Sequence, residues 1–229
     1  MGAWAMSAAR EQIISGIRKA LGRGPLDETG LAPIRQRLKG HSRHIIPARV
    51  NLDTEGLVEL FISKARGVSA TVEAVADMAA VPQAVARYLT QENLPARLVQ
   101  APGLADMDWS LAPTIAARSG LAEEPDEVGL TPAVAGVAET GTLLLTSGPE
   151  TPTTLNFVPP THIVVLRRDQ IVGAYEDAWD RLRVNTLLAG RQPRAANFIT
   201  GPSRTGDIEQ KIQIGVHGPL RLHIVIVEC

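Results

Sequence analysis

Hydrophobic residues recur along this chain with two periods, one typical of amphipathic helices and one typical of buried strands. The helical period predicts helices over residues 7–21, 53–67, 82–92 and 174–189. Short apolar runs predict strands at residues 69–75, 96–100, 143–145, 163–166 and 197–200. Because helices and strands alternate at short spacing, the pattern indicates βαβ units and a mostly parallel sheet.

Two segments depart from this alternation. Residues 26–50 look irregular and basic, with no acidic residue between Glu28 and Asp53. We interpret them as a solvated connector, and a contact with an anion or a partner is the alternative. The chain then divides into an N-terminal helix with its basic connector, residues 1–50, and a single α/β domain, residues 51–229. Near the end, Lys211–Val216 and Arg221–Val227 flank a His-Gly-Pro turn, which predicts a terminal hairpin or paired strands.

Composition narrows the class of protein. The 229 residues are 45% hydrophobic, an ordinary globular balance, and their net charge of −1 provides no general attraction to nucleic acid or anionic membrane. We therefore expect neither nucleic acid nor a membrane as a partner. The single cysteine, Cys229, excludes an internal disulfide and suits a reducing cytosol, so a cytoplasmic location is expected. No cysteine cluster and no GxGxxG motif after a strand is present, so we expect no cofactor in this chain.

A lone acidic residue, Glu139, lies among small residues just before a predicted buried strand. Because charged side chains are rarely buried unless they are paired or used, Glu139 is a candidate general base or nucleophile. Thr140 and Thr142 add hydroxyl groups, and Gly141 permits close backbone approach or a positive φ. These three are candidate ligand-binding residues. The alternative is a carboxylate that only braces the following turn.

A glycine-rich loop after a predicted strand forms a second candidate site. Its small residues would leave consecutive N–H groups free, and its serine, threonine and arginine add hydroxyl donors and a bidentate positive charge. The sequence therefore predicts that a phosphate or carboxylate is bound by Gly201, Ser203, Arg204, Thr205 and Asp207. The alternative is a tight strand connection capped by its aspartate. The lysine and glycine spacing of a nucleotide-binding phosphate loop are missing.

Three histidines lie at the ends of predicted apolar strands. His217 precedes a Gly-Pro turn and is a candidate ligand-binding residue, although an isolated histidine is more often a hydrogen-bonded structural residue. His162 and His223 are interpreted as structural in the same way. Because a metal ion would need three or more such ligands to converge, no metal site is predicted.

Four sequence blocks in the second half of the chain match a known family in their order and spacing. The blocks are residues 136–142 (GVAETGT), 159–163 (PPTHI), 201–209 (GPSRTGDIE) and 215–219 (GVHGP). In these blocks the chain resembles the lactate utilisation protein C family, whose domain is named LUD. The first half agrees with that family only in its helix-rich outline.

The resemblance carries expectations about fold and function. It implies a three-layer α/β sandwich similar to the sugar-phosphate isomerase and coenzyme A transferase group, to which the helix predicted at residues 7–21 adds an N-terminal helical extension. It also implies a bacterial role in oxidising L-lactate to pyruvate, together with iron–sulfur and cysteine-rich partner proteins. Glu139 resembles the glutamate-before-glycine arrangement of coenzyme A transferases, in which the carboxylate attacks an acyl thioester. A self-sufficient acyl or coenzyme A transferase, or a sugar-phosphate isomerase, is therefore the alternative, and the sequence leaves open whether this chain is an enzyme.

Overall fold

The protein is described by a computed structural model that covers residues 8–190, 192–208 and 211–228, except for the side chains of 187–189, 207, 208 and 211–214. The chain forms two compact units, Met1–His44 and Ile45–Cys229. Residues 45–50, which the sequence assigned to the connector, lie in the second unit. Val50 is buried there, and the Arg49 guanidinium is paired with a carboxylate of that unit.

The described residues of the first unit form two helices, α1 (Ala8–Ala20) and α2 (Glu28–Gly40). Helix α1 confirms the first predicted helix. The prediction of irregular structure from residue 26 was wrong, because Asp27 caps α2: its Oδ1 accepts a hydrogen bond from the Gly30 N–H at 2.8 Å. A proline inside α2, Pro33, and its weak apolar stripe concealed this helix in the sequence. None of the described residues of α1 or α2 is buried.

The second unit, within the described residues, contains four more α-helices and twelve strands, together with short 3-10 turns. The helices are α3 (Thr54–Gly67), α4 (Val81–Gln91), α5 (Thr154–Phe157) and α6 (Tyr175–Ala189). The strands are β1 (Thr71–Val75), β2 (Arg97–Gln100), β3 (Ala116–Ser119), β4 (Val128–Pro132), β5 (Ala135–Val137), β6 (Thr142–Thr146), β7 (Thr161–Arg167), β8 (Ile171–Val172), β9 (Ala196–Ile199), β10 (Arg204–Ile208), β11 (Lys211–Ile214) and β12 (Arg221–Val227). Helix α3 begins at its predicted cap, since the Asp53 Oδ1 accepts from the Gly56 N–H at 2.9 Å.

Six strands form one parallel sheet in the order β1-β12-β7-β4-β2-β3, which confirms the α/β class with a mostly parallel sheet. Its two faces bury alternate residues of each central strand. In β7, Ile163 and Val165 pack in the core that includes α4, whereas Val164 and Leu166 pack in the core that includes Phe61 of α3. Helices thus cover both faces of a sheet whose central strands are apolar on both sides.

A smaller mixed sheet, in the order β8-β5-β6-β9, adjoins the α3 core. Leu143 and Leu145 of β6 face that core, and Leu144 faces the opposite way, into a third cluster with Ala178 and Leu182 of α6. The small sheet is therefore buried on both faces. It carries the segment with Glu139 in the turn between β5 and β6.

The last strands differ from the prediction. The structure pairs β11 with β10 in a two-stranded antiparallel hairpin, and it inserts β12 in parallel between β1 and β7. The predicted terminal pairing of Lys211–Val216 with Arg221–Val227 was therefore wrong. The physical reason is burial: β12 presents Leu222, Ile224 and Ile226 to one core and Val225 and Val227 to the other, as a central strand must.

In the part of the chain that the structure describes, no helix has the length and apolar character needed to cross a lipid bilayer.

Candidate functional site

The two sequence-predicted loops lie side by side. Strand β6 pairs antiparallel with β9, so Thr142 at the start of β6 lies beside Thr200, the residue that follows β9. Their Oγ1 atoms are 2.6 Å apart. The Oγ1 of Thr140 lies 2.7 Å from that of Thr142, and the Tyr175 hydroxyl lies 3.0 Å from both. These four residues form a hydroxyl cluster that joins the Glu139 turn to the Gly201 segment.

Two glycines of these loops pack against the end of α3. Gly141 has a φ of +68°, and a Cβ there would lie 2.3 Å from the Ala65 nitrogen. Gly201 has a φ of +72°, and a Cβ there would lie 2.3 Å from the Val68 carbonyl oxygen. The expected close backbone approach at Gly141 is confirmed, since any side chain would overlap α3. Ligand binding by these glycines stays a prediction.

Glu139 forms an ion pair that sequence reasoning missed. Its Oε1 accepts from the Arg49 Nη2 at 2.6 Å, and its side chain is 14% exposed. Its N–H donates to the Gly173 carbonyl at 3.1 Å. The basic bias of residues 26–50 was the only signal for this pairing, because 90 residues separate the partners. The carboxylate is thus mostly buried and charge-paired, which suits bracing as well as catalysis.

The glycine-rich segment is shorter than the predicted loop, because β10 begins at Arg204. The Ser203 N–H donates to the Pro219 carbonyl at 2.9 Å, and Thr205 pairs with Gln213 across the β10–β11 hairpin. Of the predicted anion ligands, Arg204 donates through Nη2 to the Val68 carbonyl at 2.9 Å and to the Ser69 Oγ at 2.6 Å. The guanidinium is therefore engaged at the end of α3. The side chain of Asp207 lies outside the described residues.

A cavity of about 240 Å³ brings three of the predicted residues together. Its polar lining consists of Asn156, His162, Thr200, Gly201, Ser203 and His217. Phe157 and Phe198 contribute to its apolar wall. His162 is the second residue of β7, and the lining residue Leu222 is the second residue of β12. The cavity therefore lies at the amino-terminal edge of the parallel sheet, whereas open α/β sheets usually bind ligands at the carboxyl edge.

His162 is a neutral residue at the base of this cavity. It is fully buried, its Nε2 lies 2.7 Å from the Thr131 Oγ1, and its Nδ1 has no hydrogen-bond partner among the described residues. Burial disfavours the charged imidazolium and lowers the pKa of His162 to about 3. The interpretation of His162 as a buried, hydrogen-bonded histidine is confirmed.

His223 also keeps its structural interpretation. Its Nδ1 lies 2.8 Å from the Thr71 Oγ1, and its ring stacks on Tyr88 with centroids 3.9 Å apart. Burial lowers the pKa of His223 to about 4. Across the described residues, no group of three or more histidine, cysteine, aspartate or glutamate side chains is placed to hold a metal ion.

Asn156 is a site residue that sequence reasoning missed. It lies in the short helix α5, is 3% exposed and lines the cavity. Its position between Leu155 and Phe157 was the available signal, since an amide between two apolar residues is placed against a core. A second, larger groove of about 480 Å³ is lined by residues 146–151, part of α6 and residues 192–194, and it contains none of the predicted site residues.

The segment that carries the cavity is similar to a known domain family. Residues 124–227 match the LUD domain family. This segment includes every residue of the 240 Å³ cavity, together with β4, β7 and β12 of the large sheet. Over this segment, the resemblance found in the four sequence blocks is confirmed by the match to the LUD domain.

Individual relatives are similar over the same region. Lactate utilization protein C of Halalkalibacterium halodurans is 34% identical over 105 residues, which cover 46% of this chain and 46% of that protein. Lactate utilization protein C of Bacillus subtilis is 34% identical over 104 residues, covering 45% of this chain and 43% of that protein. The chain thus spans less than half the length of the curated relatives it matches.

A solved structure supports the fold. The crystal structure of a DUF162 family protein from Deinococcus radiodurans superposes with a TM-score of 0.56 at 23% identity, covering 77% of this chain and 99% of that one. At this identity the likeness concerns the fold alone.

Proposed function

We propose that this chain acts in bacterial lactate utilisation and that its 240 Å³ cavity binds a small carboxylate such as L-lactate or pyruvate. One observation supports this most: the segment that matches the LUD domain contains the whole cavity, and its relatives are named lactate utilization protein C. The cavity is smaller than the 300–1,000 Å³ or so typical of drug-sized ligands, which suits a metabolite of a few non-hydrogen atoms.

The site chemistry suits binding more than self-sufficient redox catalysis. Oxidation of L-lactate to pyruvate releases two electrons and two protons, which an acceptor must take. The sequence has one cysteine and no dinucleotide-binding motif. We therefore propose that iron–sulfur and cysteine-rich partner proteins accept the electrons, and that the complex works in the cytoplasm with no cofactor resident in this chain.

The transferase alternative requires Glu139 as an accessible nucleophile. Its Oε1 is instead held by the Arg49 guanidinium at 2.6 Å, and Glu139 is not among the residues that line the cavity. A guanidinium bonded to a carboxylate stabilises the negative charge and weakens its attack on a thioester. These contacts favour a bracing role for Glu139, which holds the 45–50 segment against the turn before β6.

A genetic experiment tests the proposal. The gene would be deleted from a bacterium that carries it, and growth on L-lactate as sole carbon source would be compared with growth on glucose. We expect growth to fail on L-lactate only, and to return with the wild-type gene but not with Ser203→Phe, which fills the cavity. Ser110→Phe, at an exposed position away from the lining, is the matched control and should restore growth. Undiminished growth of the deletion strain on L-lactate would refute the proposed role.

A further inference from the structure

The side-chain amide of Asn156 is a polar group of the cavity without a hydrogen-bond partner among the described residues. Asn156 is 3% exposed and lines the cavity, and its side chain makes no hydrogen bond to any of the described residues. Buried amides in folded proteins are nearly always hydrogen-bonded, so an unpaired one calls for an explanation. An amide oriented into a cavity finds its partner when a ligand supplies it.

The electrostatics of the cavity define which part of a ligand can reach this amide. No lysine, arginine, aspartate or glutamate belongs to the described lining, and His162 at the base is neutral because of its burial. A carboxylate placed deep in such a site would lose its hydration with no charge to compensate. The carboxylate is better placed at the mouth, where His217 is exposed, and an uncharged polar atom is better placed beside Asn156.

The apolar wall limits the rest of the ligand. Phe157 and Phe198 line the cavity, and the Phe198 ring contacts the rings of Tyr175 and Trp179 on α6, with centroid separations of 5.4 and 5.3 Å. A wall fixed in this way suits a methyl group or another short alkyl group. A three-carbon acid with an oxygen on its second carbon combines all the required features: a carboxylate, an uncharged polar atom and a methyl group.

We propose that Asn156 is the specificity-determining residue of this cavity, which recognises the C2 oxygen of a small 2-hydroxy or 2-oxo carboxylate. The amide NH₂ can donate to a carbonyl oxygen and the amide oxygen can accept from a hydroxyl group, so one side chain serves both oxidation states. This assignment rests on the proposed function of the same cavity. It adds the residue that separates such acids from carboxylates that lack the C2 oxygen.

The test is a ligand-by-variant comparison by titration calorimetry on the full chain. L-lactate and pyruvate carry the C2 oxygen, and propionate lacks it but keeps the carboxylate and the methyl group. Wild type should bind L-lactate and pyruvate about tenfold more tightly than propionate, as expected for one neutral hydrogen bond. In Asn156→Leu, which keeps the number and branching of the side-chain heavy atoms but removes both polar groups, the ratio should fall to about one. Asn185→Leu, at an exposed position on α6, should keep the tenfold ratio.

The outcomes separate the two proposals. If wild type binds L-lactate and Asn156→Leu keeps the tenfold preference, the role of Asn156 is overturned and the cavity remains a lactate site. If wild type binds none of the three acids, the proposed function fails and the assignment fails with it. Circular dichroism and thermal unfolding check that each variant folds. Should Asn156→Leu not fold, Asn156→Ser decides, with a reduced ratio expected and an unchanged one refuting the assignment.

Discussion

Acid should destabilise this protein because two buried histidines stay neutral in the fold. The pKa of His162 is lowered to about 3 and that of His223 to about 4, whereas an unfolded histidine titrates near 6.5. Between these values the unfolded chain binds protons that the folded chain does not. Stability from these residues is therefore fully present above pH 6.5 and is lost as the pH falls toward the folded pKa values.

The magnitude follows from the size of the shift. Each pH unit costs about 1.4 kcal/mol per proton taken up only by the unfolded state. Between pH 6.5 and pH 4, His162 alone should lower the free energy of unfolding by about 3 kcal/mol. His223 should contribute a similar amount. A domain is typically stable by only about 5–15 kcal/mol, so the loss is a large part of the total.

Urea denaturation at pH 7, 6, 5 and 4.5 measures this loss. His162→Gln keeps a polar group that can bond the Thr131 hydroxyl and does not titrate, so near pH 5 the slope of unfolding free energy against pH should fall by about one proton. His44→Gln, at an exposed position, should leave the slope unchanged. If His162→Gln had the wild-type slope, the imidazole would protonate within the fold, and the argument from its burial would be refuted.

Three further substitutions test the contacts that support the site. Gly141→Ala should lower the free energy of unfolding by about 2–4 kcal/mol, because the new Cβ strains φ and overlaps the α3 backbone. Gly148→Ala, where the Cβ would make only an ordinary contact, should change that free energy by less than about 0.5 kcal/mol. Equal values for the two variants in urea denaturation would contradict the close packing at Gly141. Arg204→Ala should lower the free energy of unfolding by about 1 kcal/mol and leave the affinity for L-lactate within twofold. A reduced affinity at unchanged stability would show that the guanidinium binds the ligand. Glu139→Gln should cost about 1 kcal/mol by weakening the bond from Arg49, and wild type incubated with acyl-coenzyme A should show no covalent adduct on Glu139 by mass spectrometry; an adduct would establish the transferase alternative.

Most of the secondary structure could be predicted from local sequence patterns. Asp53 marked the start of α3 because a capping side chain acts within three residues, and the apolar run of β7 marked a buried strand because both of its faces are covered. Helix α2 was missed because its proline and weak apolar stripe conceal a helix whose described residues are all at least partly exposed. Because α2 buries none of its described residues, its sequence needs no amphipathic stripe by which it could be recognised.

Contacts between segments that are distant along the chain could not be predicted from the sequence. The neighbours of β12 depend on which sheet position it fills, and proximity along the chain wrongly favoured β11. The Arg49–Glu139 pair and the cavity position of Asn156 likewise depend on contacts between distant segments. The block resemblance did locate Gly201, Ser203 and His217, which the fold brings to one cavity, although residue types alone could not say which side chains face it.

The most direct measurement is a nuclear magnetic resonance titration of the isotope-labelled full chain with L-lactate. We expect saturable shift changes at the backbone amides of Gly201, Ser203, His217 and Gly218 and at the side-chain amide of Asn156, with residues 146–151 and 192–194 unaffected. Saturable changes confined to the larger groove at residues 146–151 and 192–194, or no saturable change at any residue, would contradict the claim that this cavity is the lactate site.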